Sequence, residues 1–332
     1  MQGVDLKSYA RSVARDVDAF ILRNVSGEPR ELYDAAVHLV KAGGKRLRPM
    51  IVVAAAEALG AEREAAIPFA AAVEIVHTYT LIHDDIIDED EVRRGVPAVH
   101  KVWGIPLAIT AGDMLSAKAF EVMVKARDYG VPVERIVKAV ETLSSSMVRV
   151  AEGQAMDIMF EDRMDVTLEE YLKMVYLKTG ALFEASAALG GLAATDDERV
   201  IRSLREYGKC LGIAFQIKDD ILGLAGVEEK IGKPVYSDLR EGKRTILVIY
   251  ALSKLDQQGR EKLLSVLGRR DATREELEEA AELIKSTGAI EYATSIAEEY
   301  ANRAKAALSV LPDTPQRRIL EELAAFSVKR QV

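Results

Sequence analysis

The side chains best suited to chemistry gather around two pairs of adjacent aspartates. In His83-Asp84-Asp85-Ile86-Ile87-Asp88, Asp84 and Asp88 are four residues apart. On a helix that spacing puts both carboxylates on one face about one turn apart, with Asp85 about 100° round. Like charges so placed repel and weaken an isolated helix, so the cluster calls for a cation. A hard divalent metal taking oxygen ligands is the simplest one. Arg93 and Arg94 follow, and guanidinium forks suit phosphate oxygens. Acids and arginines together fit a metal-bridged phosphate ester. A lone cluster of this kind reads first as a solvated helix end. The second pair, in Phe215-Gln216-Ile217-Lys218-Asp219-Asp220-Ile221-Leu222-Gly223, shifts that reading, because it too adjoins a long, mostly apolar segment.

Basic motifs accompany the acids. Gly43-Gly44-Lys45-Arg46-Leu47-Arg48-Pro49 follows a helical stretch ending at Ala42. Its glycines fit a helix C-terminus and let backbone approach a ligand, although a basic helix cap explains the pattern as well. Tyr176-Leu177-Lys178-Thr179-Gly180 places a lysine within the otherwise apolar stretch 172–192. A lysine buried there requires a ligand or a carboxylate. Gly232-Lys233-Pro234 and Arg240-Glu241-Gly242-Lys243-Arg244 come after the second pair. Solvated charge is their plain reading, and phosphate binding the one that their position favours.

Helical periodicity runs through nearly all the segments that must hold these residues, as in 6–25, 31–42 and 134–159. Thr167 with Glu170 and Thr273 with Glu276 have the spacing of capping boxes. Gly104-Ile105-Pro106, Gly130-Val131-Pro132 and Pro312-Asp313-Thr314-Pro315 break the helices with short loops. No tandem repeat or low-complexity linker appears. The expected architecture is all-α: one domain over 1–332, a single large helical bundle with a central apolar cavity and acids at its mouth.

Composition narrows the function classes. Apolar residues make up 49%, ample for a core, and the formal net charge of -8 argues against nucleic acid as a partner. The one cysteine, Cys210, excludes an internal disulfide and fits a reducing cytoplasm. The first twenty residues lack a signal peptide's apolar core. No run is expected to cross a bilayer, since Glu74, His77 and Glu184 interrupt the best candidates.

The ordered motifs GGKRLRP, HDDIIDEDEVRRG, LKTG, FQIKDDILG, GKP and REGKRT resemble the trans-isoprenyl diphosphate synthases, above all their archaeal geranylgeranyl type, from about residue 39 onward. The resemblance implies a magnesium-dependent prenyltransferase that condenses isopentenyl diphosphate with allylic diphosphates, as a homodimer. It implies that Lys45, Arg48, His77 and Arg94 hold isopentenyl diphosphate without metal; by itself His77 reads as a core histidine. The allylic diphosphate would be held through magnesium by Asp84, Asp88 and Asp219, with Asp85 and Asp220 in support. Arg93, Lys178, Thr179, Gln216, Lys233 and Lys243 would contact it directly. Gln154 and Asp157 match a further family pattern. Gly223 departs from the family, many of whose members carry a third aspartate there.

Product length would be set by whatever floors the apolar cavity. Tyr79 precedes Asp84 by about 7.5 Å along a helix, and Val76 by about 12 Å. An aromatic Tyr79 beside the small Thr80 resembles the twenty-carbon pattern; a fifteen- or twenty-five-carbon product is the alternative. A terpene cyclase would need neither GGKRLRP nor Arg94, and a non-catalytic subunit would have eroded aspartates. A di-iron bundle wants a Glu-x-x-His motif from each of two helices, and no second one accompanies Glu74-Ile75-Val76-His77.

Overall fold

The computed structural model describes residues 5–225 and 235–329. Lys233, with Gly232 and Pro234, lies outside them. Among the described residues the chain is helical almost throughout. Helix α1 (Leu6–Asn24) opens on Asp5, whose carboxylate accepts from the backbone N–H of Ser8. Then come α2 (Arg30–Lys41), α3 (Leu47–Ala58) and α4 (Arg63–Ile87). A two-residue hairpin follows, β1 (Val92–Arg93) paired antiparallel with β2 (Val96–Pro97). Next are α5 (Val99–Trp103), α6 (Ile105–Met123), a 3₁₀ segment (Val124–Tyr129) and α7 (Val133–Glu161). Helix α8 (Leu168–Val175) runs through a π-helical turn (Tyr176–Gly180) into α9 (Ala181–Ala194), and α10 (Glu198–Ala225) follows. The remainder comprises α11 (Ser237–Glu241), α12 (Ile246–Lys254), α13 (Gln257–Leu264), α14 (Arg274–Ser286), α15 (Ala289–Ala307) and α16 (Pro315–Lys329).

Both capping boxes are present. Thr167 and Glu170 open α8, and Thr273 and Glu276 open α14, each threonine accepting from the glutamate's N–H while the glutamate reaches back. The apolar stretch 172–192 is not one regular α-helix, because the π turn interrupts it, and the apolar pattern does not register that turn.

The described residues cluster into two compact units. The first comprises Met1–Met147, Leu182–Gly208 and Ala307–Glu322; the second, Val148–Ala181, Lys209–Ala306 and Leu323–Val332. In the first, α3 is apolar and buried nearly all round, and α4 packs along α3 and α6. Helix α4 corrects the expectation that no run could cross a bilayer, being long and apolar enough by length and composition. Most of it is buried within the protein, as befits a core helix. The second unit has its own core, in which Tyr171, Ile217, Ile221, Ile246 and Ile284 are all but inaccessible.

In the first unit the wholly buried Tyr207 of α10 donates its hydroxyl to the Leu320 carbonyl of α16, 2.9 Å away. Tyr207→Phe should therefore cost about 1 kcal/mol, read as a lower midpoint of urea unfolding. An unchanged midpoint would mean that the bond contributes nothing.

Candidate active site

In the first unit the acids sit where α4 ends. Asp88 is the C-cap, its N–H bonded to the Asp84 carbonyl at 2.8 Å. Glu89 then turns left-handed (φ 59°), and the Asp90 N–H reaches back to the Asp85 carbonyl at 2.9 Å. This closes a Schellman turn with glutamate where glycine is usual. Asp84 and Asp88 are partly exposed, whereas Asp85 is fully buried. Arg93 binds Asp85 through Nε at 2.6 Å and Asp90 through Nη2 at 2.6 Å. The hairpin turn that presents Arg93 has positive φ at both Arg94 (55°) and Gly95 (77°), as a type I′ turn requires.

The residues expected to hold isopentenyl diphosphate lie in this same unit. Lys45 is exposed while its neighbour Arg46 is buried. The Arg48 guanidinium lies 4.4 Å above the Phe183 ring, with Nη1 3.3 Å from His77 Nε2. Burial, and then the positive charges of Arg48, Arg94, Arg46 and Arg93, hold the His77 pKa well below its ordinary value. The neutral ring can accept a hydrogen bond from Arg48. Arg94 donates to the carbonyls of Leu39 and Gly43, both at 2.9 Å, and to Glu74 at 3.2 Å. Tyr79 packs edge-on to His83, ring centroids 5.9 Å apart, above a fully buried Val76. The Thr80 hydroxyl bonds the His77 carbonyl at 2.9 Å.

In the second unit the π turn brings Lys178 against α7. A Cβ on Gly153 would stand 2.2 Å from the Lys178 backbone nitrogen, so only glycine allows this approach. One helical turn on, Asp157 accepts from Lys178 Nζ at 2.6 Å and from Lys243 Nζ at 3.1 Å, and Glu161 also binds Lys243, at 2.6 Å. The Thr179 hydroxyl donates to Gln216, whose amide donates to Asp220 at 2.9 Å. The Tyr171 hydroxyl donates to the other Asp220 oxygen at 2.6 Å. Burial, and then the Asp238 carboxylate, push the Asp220 pKa up to about 8. As in the first unit, the second aspartate of the pair is buried while the first, Asp219, is partly exposed. A Cβ at Gly223 would lie 3.1 Å from Asp238 Oδ2, so a longer side chain there would crowd that carboxylate.

Sequence reasoning missed several participants. Asp238, Phe183 and Glu161 carry no motif-level signal. Arg46 sits inside a motif without being singled out. Glu74 was visible only as an acid in a greasy run, and that was the available clue.

The sequence profile of the polyprenyl synthetase family matches residues 29–284. The chain belongs to this family. It is 44% identical to the geranylgeranyl diphosphate synthase of Saccharolobus solfataricus over all of both chains. It is 46% identical to the geranylfarnesyl diphosphate synthase of Aeropyrum pernix, over 95% of this chain and 99% of that one. A polyprenyl synthase from Caulobacter crescentus, solved with calcium and isoprenyl diphosphate, superposes with a TM-score of 0.90 at 36% identity, covering both chains fully. As in these relatives, the fold is all-α.

The donor set fits a divalent cation. Among the described residues no three His, Cys, Asp or Glu side chains converge as a ready-made cage. Partly exposed carboxylates suit a hard divalent cation, which takes carboxylate, water and substrate phosphate oxygens.

Asp157 offers a test of the lysine cluster. Burial raises its pKa, but Lys178 and Lys243 more than offset this, leaving it below the ordinary carboxylate value. Its contribution to stability is then complete above the unfolded value of about 3.9 and is lost as pH falls through the lower folded value. Asp157→Asn should cost about 3 kcal/mol at neutral pH, with the gap from the parent chain narrowing only below about pH 4. Urea unfolding at stepped pH checks this; a gap that does not change with pH would refute it.

Proposed function

We propose that this chain condenses isopentenyl diphosphate with allylic diphosphates head to tail, yielding mainly geranylgeranyl diphosphate, with magnesium and as a cytoplasmic homodimer. One observation carries the reading. In both aspartate pairs the first carboxylate is partly exposed and the second is buried on fixed partners: Arg93 for Asp85, and Tyr171 with Gln216 for Asp220. Such an arrangement presents acids to a metal-bound anion while their neighbours hold them in place.

The division of labour follows from residue chemistry. Lys45, Arg48, His77 and Arg94 take isopentenyl diphosphate, where arginine forks and a neutral imidazole suit phosphate oxygens. Asp84, Asp88 and Asp219 take the allylic diphosphate through magnesium. Arg93, Lys178, Thr179, Gln216 and Lys243 bind its oxygens, joined by Lys233. Magnesium, when bound, neutralises charge on the leaving diphosphate. As the allylic C–O bond breaks, its electron pair departs with that diphosphate, and Lys178 and Lys243 stabilise the developing negative charge. The isopentenyl double bond supplies the electrons of the new C–C bond. Loss of a proton, with the departing diphosphate as acceptor, restores an alkene. His77 is poorly suited to act as the base, because burial and arginines already oppose its protonation. Apolar walls keep water from the cation.

The twenty-five-carbon product is the second reading, favoured by the resemblance to the Aeropyrum pernix geranylfarnesyl enzyme. The experiment is to incubate the purified chain with labelled isopentenyl diphosphate, each allylic primer and magnesium, and to separate products by length. Asp84→Ala and Asp219→Ala should each lower turnover by about 10²-fold or more, with an unchanged helical dichroism signal. Near-normal turnover in both would sink the reading. Tyr79→Ser should extend products beyond the parent's length, if this ring floors the cavity. An unchanged product ladder at full activity would place the floor elsewhere.

A further inference from the structure

Glu74 is an acid in the middle of the apolar helix α4, with almost no exposure. Its Oε1 accepts from Arg46 Nη1 at 2.9 Å and from Arg94 Nη2 at 3.2 Å, so one carboxylate oxygen bridges two guanidiniums. A second atom does the same: the Gly43 carbonyl accepts from Arg46 Nη1 at 3.0 Å and Arg94 Nη1 at 2.9 Å. Arg46 is completed by Asp18 at 2.7 Å and the Val40 carbonyl at 2.8 Å, and Arg94 by the Leu39 carbonyl. The loop is moulded to these groups, since a Cβ on Gly44 would stand 2.8 Å from Arg46 Nη1 and 3.1 Å from the Arg94 guanidinium carbon.

Both arginines also occupy left-handed backbone, Arg46 at φ 46° and Arg94 at φ 55°. For residues with a side chain such conformations cost about 1 kcal/mol or more and persist where surrounding contacts over-determine them. Arg94 adopts one within its hairpin turn, and Arg46 adopts one with Glu74, Asp18 and the Gly43 and Val40 carbonyls bound to its side chain. Arg46 is the N-cap of α3, between exposed Lys45 and Arg48 in that helix's first turn. Whatever fixes Arg46 therefore fixes the direction of Lys45 and the start of the helix that carries Arg48. Burial, then Arg46, act to lower the Arg94 pKa, with Glu74 opposing them, as expected of cations sharing one counter-charge.

We propose that Glu74 is a positioning residue for the isopentenyl diphosphate site: it touches no substrate, and it holds Arg94 and the Lys45–Arg48 loop in their binding geometry by bridging Arg46 and Arg94. The inference rests on the assignment of Lys45, Arg48, His77 and Arg94 to isopentenyl diphosphate.

The test uses Glu74→Gln in the full chain, which preserves shape but removes the charge that two arginines share. Its KM for isopentenyl diphosphate should rise about tenfold, with the KM for the allylic primer within twofold and kcat within threefold of the parent. Calorimetric titration of isopentenyl diphosphate without metal should show the same tenfold loss. Arg46→Lys keeps a charge near Glu74 and Asp18 but cannot also bond both backbone carbonyls. It should shift the same KM in the same direction, and it decides the matter if Glu74→Gln does not fold. An unchanged KM for isopentenyl diphosphate overturns the proposal. So does a parallel rise in both KM values with a fall in kcat and in folded fraction, which marks a merely structural role. A parent chain that condenses no isopentenyl diphosphate would instead overturn the functional reading.

Discussion

A carboxylate taken out of water among apolar helices costs several kcal/mol unless a cation or hydrogen-bond donors meet it. That constraint organises each unit. In the first, Glu74 and Asp85 are buried on α4 and draw in Arg46, Arg94 and Arg93. In the second, Asp157 and Asp220 are buried on α7 and α10 and draw in Lys178, Lys243, Tyr171 and Gln216. Each buried acid thus fixes a group assigned to substrate, or fixes the loop that carries one. The positive charge needed by diphosphates is held by negative charge that the fold has already desolvated.

Much of this was legible from residue types and spacing. The helices, both capping boxes and both aspartate pairs follow from local rules, because caps and amphipathic periods depend on neighbours within one or two turns. Observed α2 at Arg30–Lys41 differs by one residue at each end from the expected 31–42. What stayed hidden depends on contacts between segments far apart in sequence. Nothing local marks Arg46 for left-handed backbone, a region that long side chains seldom adopt. The π turn at Tyr176–Gly180 is equally silent, since its extra residue is accommodated by the approach of Gly153, more than twenty positions earlier. Such turns recur at functional sites because they re-aim side chains that a regular helix would present elsewhere.

Gly223 shows how a departure from the family pattern can be read physically. A missing third aspartate looks like the loss of a ligand when only the motif is considered. In the second unit, however, Asp238 already stands against the Gly223 backbone, and its charge raises the Asp220 pKa. A third aspartate there would crowd another carboxylate into a pocket where Asp220 is already hard to ionise. Glycine at this position is therefore consistent with Asp220 and Asp238 sharing the space, and its small size relieves a repulsion as well as a clash.

The exposed and buried members of each aspartate pair also explain why adjacent acids are needed at all. Neighbouring helical residues point about 100° apart, so one carboxylate can face solvent while the next faces the core. The buried one is immobilised by its partners, Arg93 in one case and Tyr171 with Gln216 in the other. The partly exposed one inherits that rigidity through the shared backbone while its carboxylate stays within reach of solvent. A single aspartate could not be both anchored and available. The pair separates these demands, which is the reason the doublet reads more strongly than either residue alone.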